Sequence, residues 1–476
     1  MPLILPGNVA SALPTGFNVA NSCRFNKADA PQLSRSTGDG NDRTGSFSFW
    51  WKTADPHDGC IFYTVYIDSS NFFNIGMDGG GNIEVTNKDS GSYNLQCETT
   101  ASYRDHGAWY HVCVIIDTTQ AVAANRMKLY INGIQVTSFQ TETYPDQNTD
   151  LKMNPDSQTA YISHSGNRMH GYLAEFVVID GTAQAVTDFG EFNSDSPAIW
   201  QPIYVSGLTK CTNGFYLEFE DSSNLGNCAF GGTDLTEANL AATDQATDTP
   251  TNNFCTINPL YQSGTGGQLT VTEGNTTYIP ASSGHCYSRS SMGFSAGKWY
   301  FEAKVTEVSG GESAGVGVCD TELANNADPQ AATVQGGFQV QFSSSNTNLN
   351  ENASGGSQSS ITTSFASGDI AQMAVDADNG KIWIGYNGTW YNDDNASTTF
   401  SAANHDMTYT TGSLMQFYFQ AYESSCNYDT TNMNFGCPTF AISSSNSDAN
   451  GYGNFEFPVP SGFYALCSKN LGEFGG

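Results

Sequence analysis

Short aromatic and β-branched runs, each closed by a cluster of Gly, Asn or Asp, recur along most of this chain. That punctuation constrains the fold more than any other feature. Residues 46–51 (SFSFWW), 60–67 (CIFYTVYI), 71–77 and 109–117 are such runs. Side chains of this kind suit a pleated, half-buried surface, and the residues between them supply turns. Residues 127–136 add a hairpin signal, because Asn132-Gly133 offers the two positive-φ residues that a type I′ turn needs. Another run, residues 171–181, ends on Asp180-Gly181. Strands recurring at roughly 8–12-residue intervals predict an all-β sandwich or barrel.

At 476 residues the chain is too long for one ordinary core. A break shows in its composition. From Cys211 to Gly267 there is neither Lys nor Arg, and residues 231–253 are rich in Thr, Ala, Asp and Asn. This stretch reads as an acidic connector, with a short helix expected near residues 235–242. Strand signals resume at residues 298–305 (KWYFEAKV) and continue through 315–319, 338–342 and 370–386. Inside the last run, Asp378-Asn379-Gly380 marks a hairpin turn. Residues 343–360 are rich in Ser, Asn and Gly and read as a loop. The expectation is two antiparallel β-sandwiches, residues 1–205 and 268–476, joined by a connector over 206–267. The halves share no register, so the chain is not a simple duplication.

Charge narrows the partners. The chain carries 17 Lys+Arg against 47 Asp+Glu, a formal net charge of −30. It repels phosphate backbones and has no polybasic patch for anionic membranes. No stretch approaches the ~18 apolar residues of a spanning helix. Nucleic-acid binding and membrane insertion are therefore not expected. The opening MPLILPG lacks the basic and long apolar regions of a secretory signal. The 12 Cys are spread singly, with no CxxC pair and no zinc-type Cys/His spacing. Several sit in apolar runs, as Cys113 does, and are expected to be reduced core thiols. The seven His show no ligand spacing either and read as turn or surface residues. No cofactor is called.

Four motifs carry a resemblance in the first half. They are FSFWWK (47–52), WYHVCV (109–114) leading to Asp117, RMKLYING (126–133) and GYLAEF (171–176). Their order resembles the laminin-G or concanavalin-A-like jelly roll over about residues 17–205. In the second half the carriers are GKWYFE (297–302), GVGV (315–318), GDI (368–370), DADNGKIWI (376–384), NGTW (387–390), NFG (434–436) and PSGFYAL (460–466). Together they resemble a SPRY domain over about residues 268–476. The pairing of these two domains, the opening MPLILPGN and residues 248–254 (DTPTNNF) are similar to virion proteins of tailed phages, particularly marine ones. That resemblance implies a tail fibre, spike or capsid decoration, assembled in the host cytoplasm and carried on the virion. Other virion proteins, a host surface glycan and further copies of the chain, a trimer favoured, are the implied partners.

Candidate chemistry is sparse. Gly311-Glu-Ser313-Ala-Gly315 fits G-x-S-x-G, but a β-run follows where a hydrolase elbow needs a helix, so it reads as a loop entering a strand. Glu218 and Glu220 would lie about 7 Å apart on one strand face. Inverting glycosidases hold their carboxyls ~6.5–9.5 Å apart. The Glu-x-Asp-x-x-Glu pattern of jelly-roll glycosidases is absent, and the pair reads as an acidic strand edge. Some laminin-G-like domains hold calcium on loop carboxylates. Asp39, Asp42, Asp55 and Asp58 stand in loops, yet their spacing specifies no site, and Asp376-Ala-Asp378 lacks an EF-hand's closing Glu. Trp390, Tyr391 and Asn392 are the sugar-binding candidates, as aromatics beside amides. The competing reading packs Trp390 on the sandwich. The expected function is non-enzymatic: adhesion to host glycans or to other virion proteins. A polysaccharide depolymerase and a purely architectural component are the alternatives.

Overall fold

The computed structural model describes residues 16–55, 58–264, 269–280, 284–306, 313–321, 336–342, 347–350, 358–361, 366–391, 397–401, 403, 407–423 and 431–475. The fold is all-β, and the chain divides into two compact units between Thr251 and Asn252.

The first unit is a sandwich of two eight-stranded sheets. One centres on Thr44–Thr53 and Gly171–Asp180, with Tyr110–Asp117 and Met127–Ile131 on one side and Ser22–Phe25 on the other. The second sheet contains, as neighbours, Ser92–Ser102, Asn82–Asp89, Asn71–Met77, Cys60–Asp68, Thr159–Ile162 and Gln32–Ser36. Alternation sends Phe47, Phe49 and Trp51 inward from the first sheet to meet Tyr63, Val65, Phe73 and Ile75 from the second. Phe47 lies 5.4 Å from Phe73 and Phe49 lies 5.0 Å from Phe62, centroid to centroid. Each such side chain contributes about 1.5–3 kcal/mol by leaving water. Asn132 (φ 49°) and Gly133 (φ 74°) form the expected two-residue hairpin loop before Ile134–Gln135.

Most of the expected connector over 206–267 is part of the first unit, which runs to Thr251. Phe215–Leu217 pairs with Gly171–Asp180, Thr236–Ala238 with Gln32–Ser36, and Gln245–Ala246 with Ser22–Phe25. The residues expected to be helical form a short strand, and one 3-10 turn follows at Ala242–Asp244. These segments complete sheet edges whose N–H and C=O groups would otherwise lack partners. Asp248, fully buried, locks the end of the unit. It accepts hydrogen bonds from Lys52 Nζ at 2.6 Å and Trp109 Nε1 at 3.0 Å. Beyond the boundary, Cys255 and Ile257 already belong to the second core.

The later segments also cover the outer face of the first sheet. Phe189, Val205 and Tyr216 pack on Cys113, Val177 and Ile179. Trp200 Nε1 donates to His111 Nδ1 at 3.0 Å, and His111 Nε2 lies 2.8 Å from Ser48 Oγ. Burial holds the His111 pKa down to about 3, so the ring is neutral and Nε2 donates to the hydroxyl. His106 and His111 are both fully buried, which corrects the surface placement expected of the histidines. Among the described cysteines all are free thiols, and all but Cys211 are buried.

The second unit has a seven-stranded and a ten-stranded sheet among its described residues. Trp299, Phe301, Met373, Val375, Phe417 and Phe419 fill its core. Pairing is antiparallel except where Trp299 and Tyr300 meet Tyr464 and Ala465 in parallel. The chain's last stretch covers the outer face of the larger sheet. Phe455 lies 5.1 Å from Tyr300. The buried Glu302 accepts from the backbone N–H of Phe457 at 2.8 Å and of Glu456 at 3.0 Å, from Tyr300 Oη at 3.0 Å and from Asn434 Nδ2 at 3.2 Å.

Candidate functional site: an aromatic strip on the open sheet face

Two adjacent hairpins build the feature best suited to recognition. Cys60–Asp68 and Asn71–Met77 are joined through Ser69-Ser70, and Asn82–Asp89 and Ser92–Ser102 through Ser90-Gly91. Ser90 (φ 51°) and Gly91 (φ 83°) give the second turn its positive-φ pair. Asp68 shapes the first turn by accepting from Ser70 N–H at 2.7 Å and Asn71 Nδ2 at 3.0 Å, contacts that hold its carboxyl below the usual range. The turns are tied together where Ser90 N–H donates to Asn71 Oδ1 and Gly91 N–H to Ser70 O, both at 3.0 Å.

Register then aligns outward side chains. Tyr66 stands opposite Phe72, Phe72 opposite Lys88, and Lys88 opposite Tyr93. The rings form a continuous strip: Tyr161 to His164 at 4.8 Å, His164 to Tyr66 at 5.0 Å, Tyr66 to Phe72 at 6.2 Å and Phe72 to Tyr93 at 6.1 Å. Tyr66 is 39% and Tyr93 44% exposed, while Phe72 between them is 9% exposed. Burial, then the Arg168 charge, lowers the His164 pKa, so its ring adds a neutral aromatic face at neutral pH. Beside the strip a polar row crosses the same sheet: Tyr161 opposite Thr64, then Asn74, Thr86 and Gln96. Thr64 Oγ1 donates to Asn74 Oδ1. Thr64 and Thr86 are buried within this row, so the part-exposed amides of Asn74 and Gln96 are its groups beside the ring faces, a pairing that suits the C–H and O–H surfaces of a sugar.

The predicted sugar contacts lie elsewhere and are packed. Trp390 and Tyr391 sit in Thr389–Tyr391 after the Asn387-Gly388 turn, 8% and 9% exposed. Trp390 meets Phe400 edge-on at 4.9 Å, and Tyr391 joins the hydrophobic core. Asn392 lies outside the described residues. Trp390 thus packs on the sandwich, as the competing reading of its motif has it, and the rings offered as sugar contacts are largely covered.

Glu218 and Glu220 do not share a strand face. The strand ends at Leu217, and Phe219 turns the chain with φ 56°. Sequence reasoning missed Glu175, which sits at a bulge with φ 50° where its strand changes partner from Ser22–Phe25 to Phe215–Leu217. Tyr216 Oη donates to Glu175 Oε2, and burial raises the Glu175 pKa to about 8. Glu175 is 6% exposed, which leaves no room for a substrate at its carboxyl.

Ser313 opens the strand Ser313–Asp320, while the preceding Gly311-Glu312 lies outside the described residues. Asp376 accepts from Lys298 at 3.0 Å and from Asn379 Nδ2 at 2.9 Å, and Asp378 accepts from Gly297 N–H at 2.9 Å, so both are turn-forming groups. Asp58 pairs with Lys27, and Asp42 accepts from Asn154 N–H at 2.9 Å. Among the described residues no group of three or more His, Cys, Asp or Glu could hold a metal ion.

Comparison with known proteins places the strip in context. Residues 26–186 match the family model described as "Concanavalin A-like lectin/glucanases superfamily". The first unit therefore carries a concanavalin A-like lectin fold domain, containing every residue of the strip. No curated protein sequence matches the chain. Among solved structures, the SPRY domain of human HERC1 is similar at 15% identity, covering 37% of this chain and 96% of that one, with a TM-score of 0.26. The heptameric SAP-like pentraxin from Limulus polyphemus is similar at 15% identity, 36% and 80% coverage and a TM-score of 0.27. Domain 4 of AbnA, an extracellular arabinanase from Geobacillus stearothermophilus solved with arabinotriose, is similar at 16% identity, 32% and 67% coverage and a TM-score of 0.25.

Proposed function

We propose that this protein is a non-enzymatic glycan-binding protein whose first sandwich holds carbohydrate on the strip formed by Tyr161, His164, Tyr66, Phe72 and Tyr93. The observation that carries this reading is the exposure of Tyr66 and Tyr93 in one continuous row of rings beside the part-exposed amides of Asn74 and Gln96. The lectin/glucanase family match supports it. Binding is favoured over hydrolysis because, among the described residues, the carboxyl whose pKa is raised to about 8, Glu175, is closed off by Tyr216. The setting proposed is a phage virion surface, as tail fibre, spike or capsid decoration. It rests on the resemblance of residues 1–8 and 248–254 to virion proteins.

A glycan array probed with the wild type and with a Tyr66→Ala/Tyr93→Ala variant tests the binding. Signals on a defined glycan set that vanish in the variant are expected; equal signals from both proteins would refute the site. Mass spectrometry of purified virions from a lysate encoding the chain tests the setting, and its absence from particles would overturn that part alone. Sedimentation of the purified chain tests the proposed trimer.

A further inference from the structure

Taking the glycan reading of the strip as given, we infer that its ligand is an extended, negatively charged polysaccharide, with Lys88 receiving the anionic substituent. The strip crosses five neighbouring strands, from Ser92–Ser102 to Thr159–Ile162. At about 4.8 Å per strand this is roughly 19 Å, longer than a single sugar and suited to several consecutive rings. Recognition of a chain interior follows from that length.

The charge follows from Lys88. Its ammonium lies 5.9 Å from the Phe72 centroid and 5.1 Å from that of Tyr93, held over the rings by cation–π attraction. Among the described residues it makes no ion pair, although the chain has 47 Asp+Glu against 17 Lys+Arg. The nearby carboxylates are already engaged. Asp68 accepts from its own turn, and Asp89 accepts from Ser90 Oγ at 3.1 Å and pairs with Lys152 at 3.3 Å. On the same sheet face, four residues along the strand from Lys88, Glu84 stands opposite Glu98, and burial together with the Glu98 charge raises its pKa. An acidic chain is thus attracted along the Lys88 row and repelled from the Glu84 row. A uronate carboxylate and a sulfate ester share the chemistry that Lys88 would recognise.

Titration calorimetry of the full chain decides it. The probes are oligogalacturonates (carboxylate), carrageenan oligosaccharides (sulfate) and cello-oligosaccharides (neutral), each as a length series. One or both acidic series should bind at least about tenfold more tightly than the neutral one at about 0.15 M salt, where the repulsion from the chain's −30 charge is screened beyond ~8 Å and the close contact with Lys88 remains. Affinity should rise with length. The member that binds identifies the anionic group. Lys88→Gln should remove most of that preference, read as the ratio of acidic to neutral affinity, and Lys128→Gln on the other sheet should leave it intact. Neutral chains binding as tightly as acidic ones, or a preference that survives Lys88→Gln, would overturn the inference while leaving the glycan reading standing. Binding by no series, or self-association lost in Tyr93→Ala in its place, would remove both.

Discussion

The strip around Tyr66 and the cluster around Trp390 are built from the same kinds of side chain, yet one meets solvent and the other does not. In the second unit the chain doubles back over the sheet. Phe400 packs on Trp390 at 4.9 Å, and Phe463 packs on Phe400 at 5.3 Å and Trp383 at 5.6 Å. In the first unit Phe189, Val205 and Tyr216 of the returning segments pack on the sheet containing Thr44–Thr53, while Tyr66 and Tyr93 on the other sheet stay exposed. An aromatic residue becomes a recognition group or a core group according to what later chain lies on its face. The motif that contains it does not decide.

Variants can break this contrast. The largest expected effect belongs to the covering segments. Asp248→Ala removes the fully buried carboxylate that Lys52 and Trp109 both contact and should cost the first unit about 3–5 kcal/mol, read by urea unfolding. Trp390→Ala should cost the second unit a similar ~3–5 kcal/mol by opening a cavity among Phe400 and Tyr300, with glycan binding unchanged. If Trp390→Ala left stability alone and abolished binding, the assignment of the two clusters would be reversed.

A smaller effect comes from Glu175, whose folded pKa is raised from the ordinary 4.5 to about 8 by burial. The fold favours its protonated form. Its contribution is therefore complete below about pH 4.5, declines as pH rises towards 8 and levels off above. Glu175→Gln should flatten that stretch of the stability–pH curve. A variant curve parallel to the wild type over that range would contradict the protonated state. Smallest of all, Tyr93→Ala should change unfolding by no more than about 0.5 kcal/mol, because its ring is already wet. Its loss should appear in binding alone.

Much of the architecture could be read from sequence because it rests on local signals. Asn132-Gly133 marks its own turn, and the runs at 47–52 and 297–302 lie in central strands. The segment up to Thr251 could not be read. Its strands are two or three residues long, too short for any periodicity, and Asp248 finds Lys52 and Trp109 only across the fold, 196 and 139 residues away. The strip was hidden for another reason. CIFYTVYI has one polar residue, Thr64, and two irregularities in its pairing with Asn71–Met77 shift the parity, so the run shows only a weak sign that Tyr66 faces outward while Val65 faces the core. Ser90-Gly91 was the one cue, since it fixes the hairpin that brings Lys88 opposite Tyr93.

Amide hydrogen exchange of the full chain, with and without a bound oligosaccharide, compares the two clusters in one experiment. Protection confined to residues 64–74 and 86–96, with residues 383–391 unchanged, is the predicted result. Protection at 383–391 with none at the hairpins would contradict the placement of the binding surface on the open sheet face.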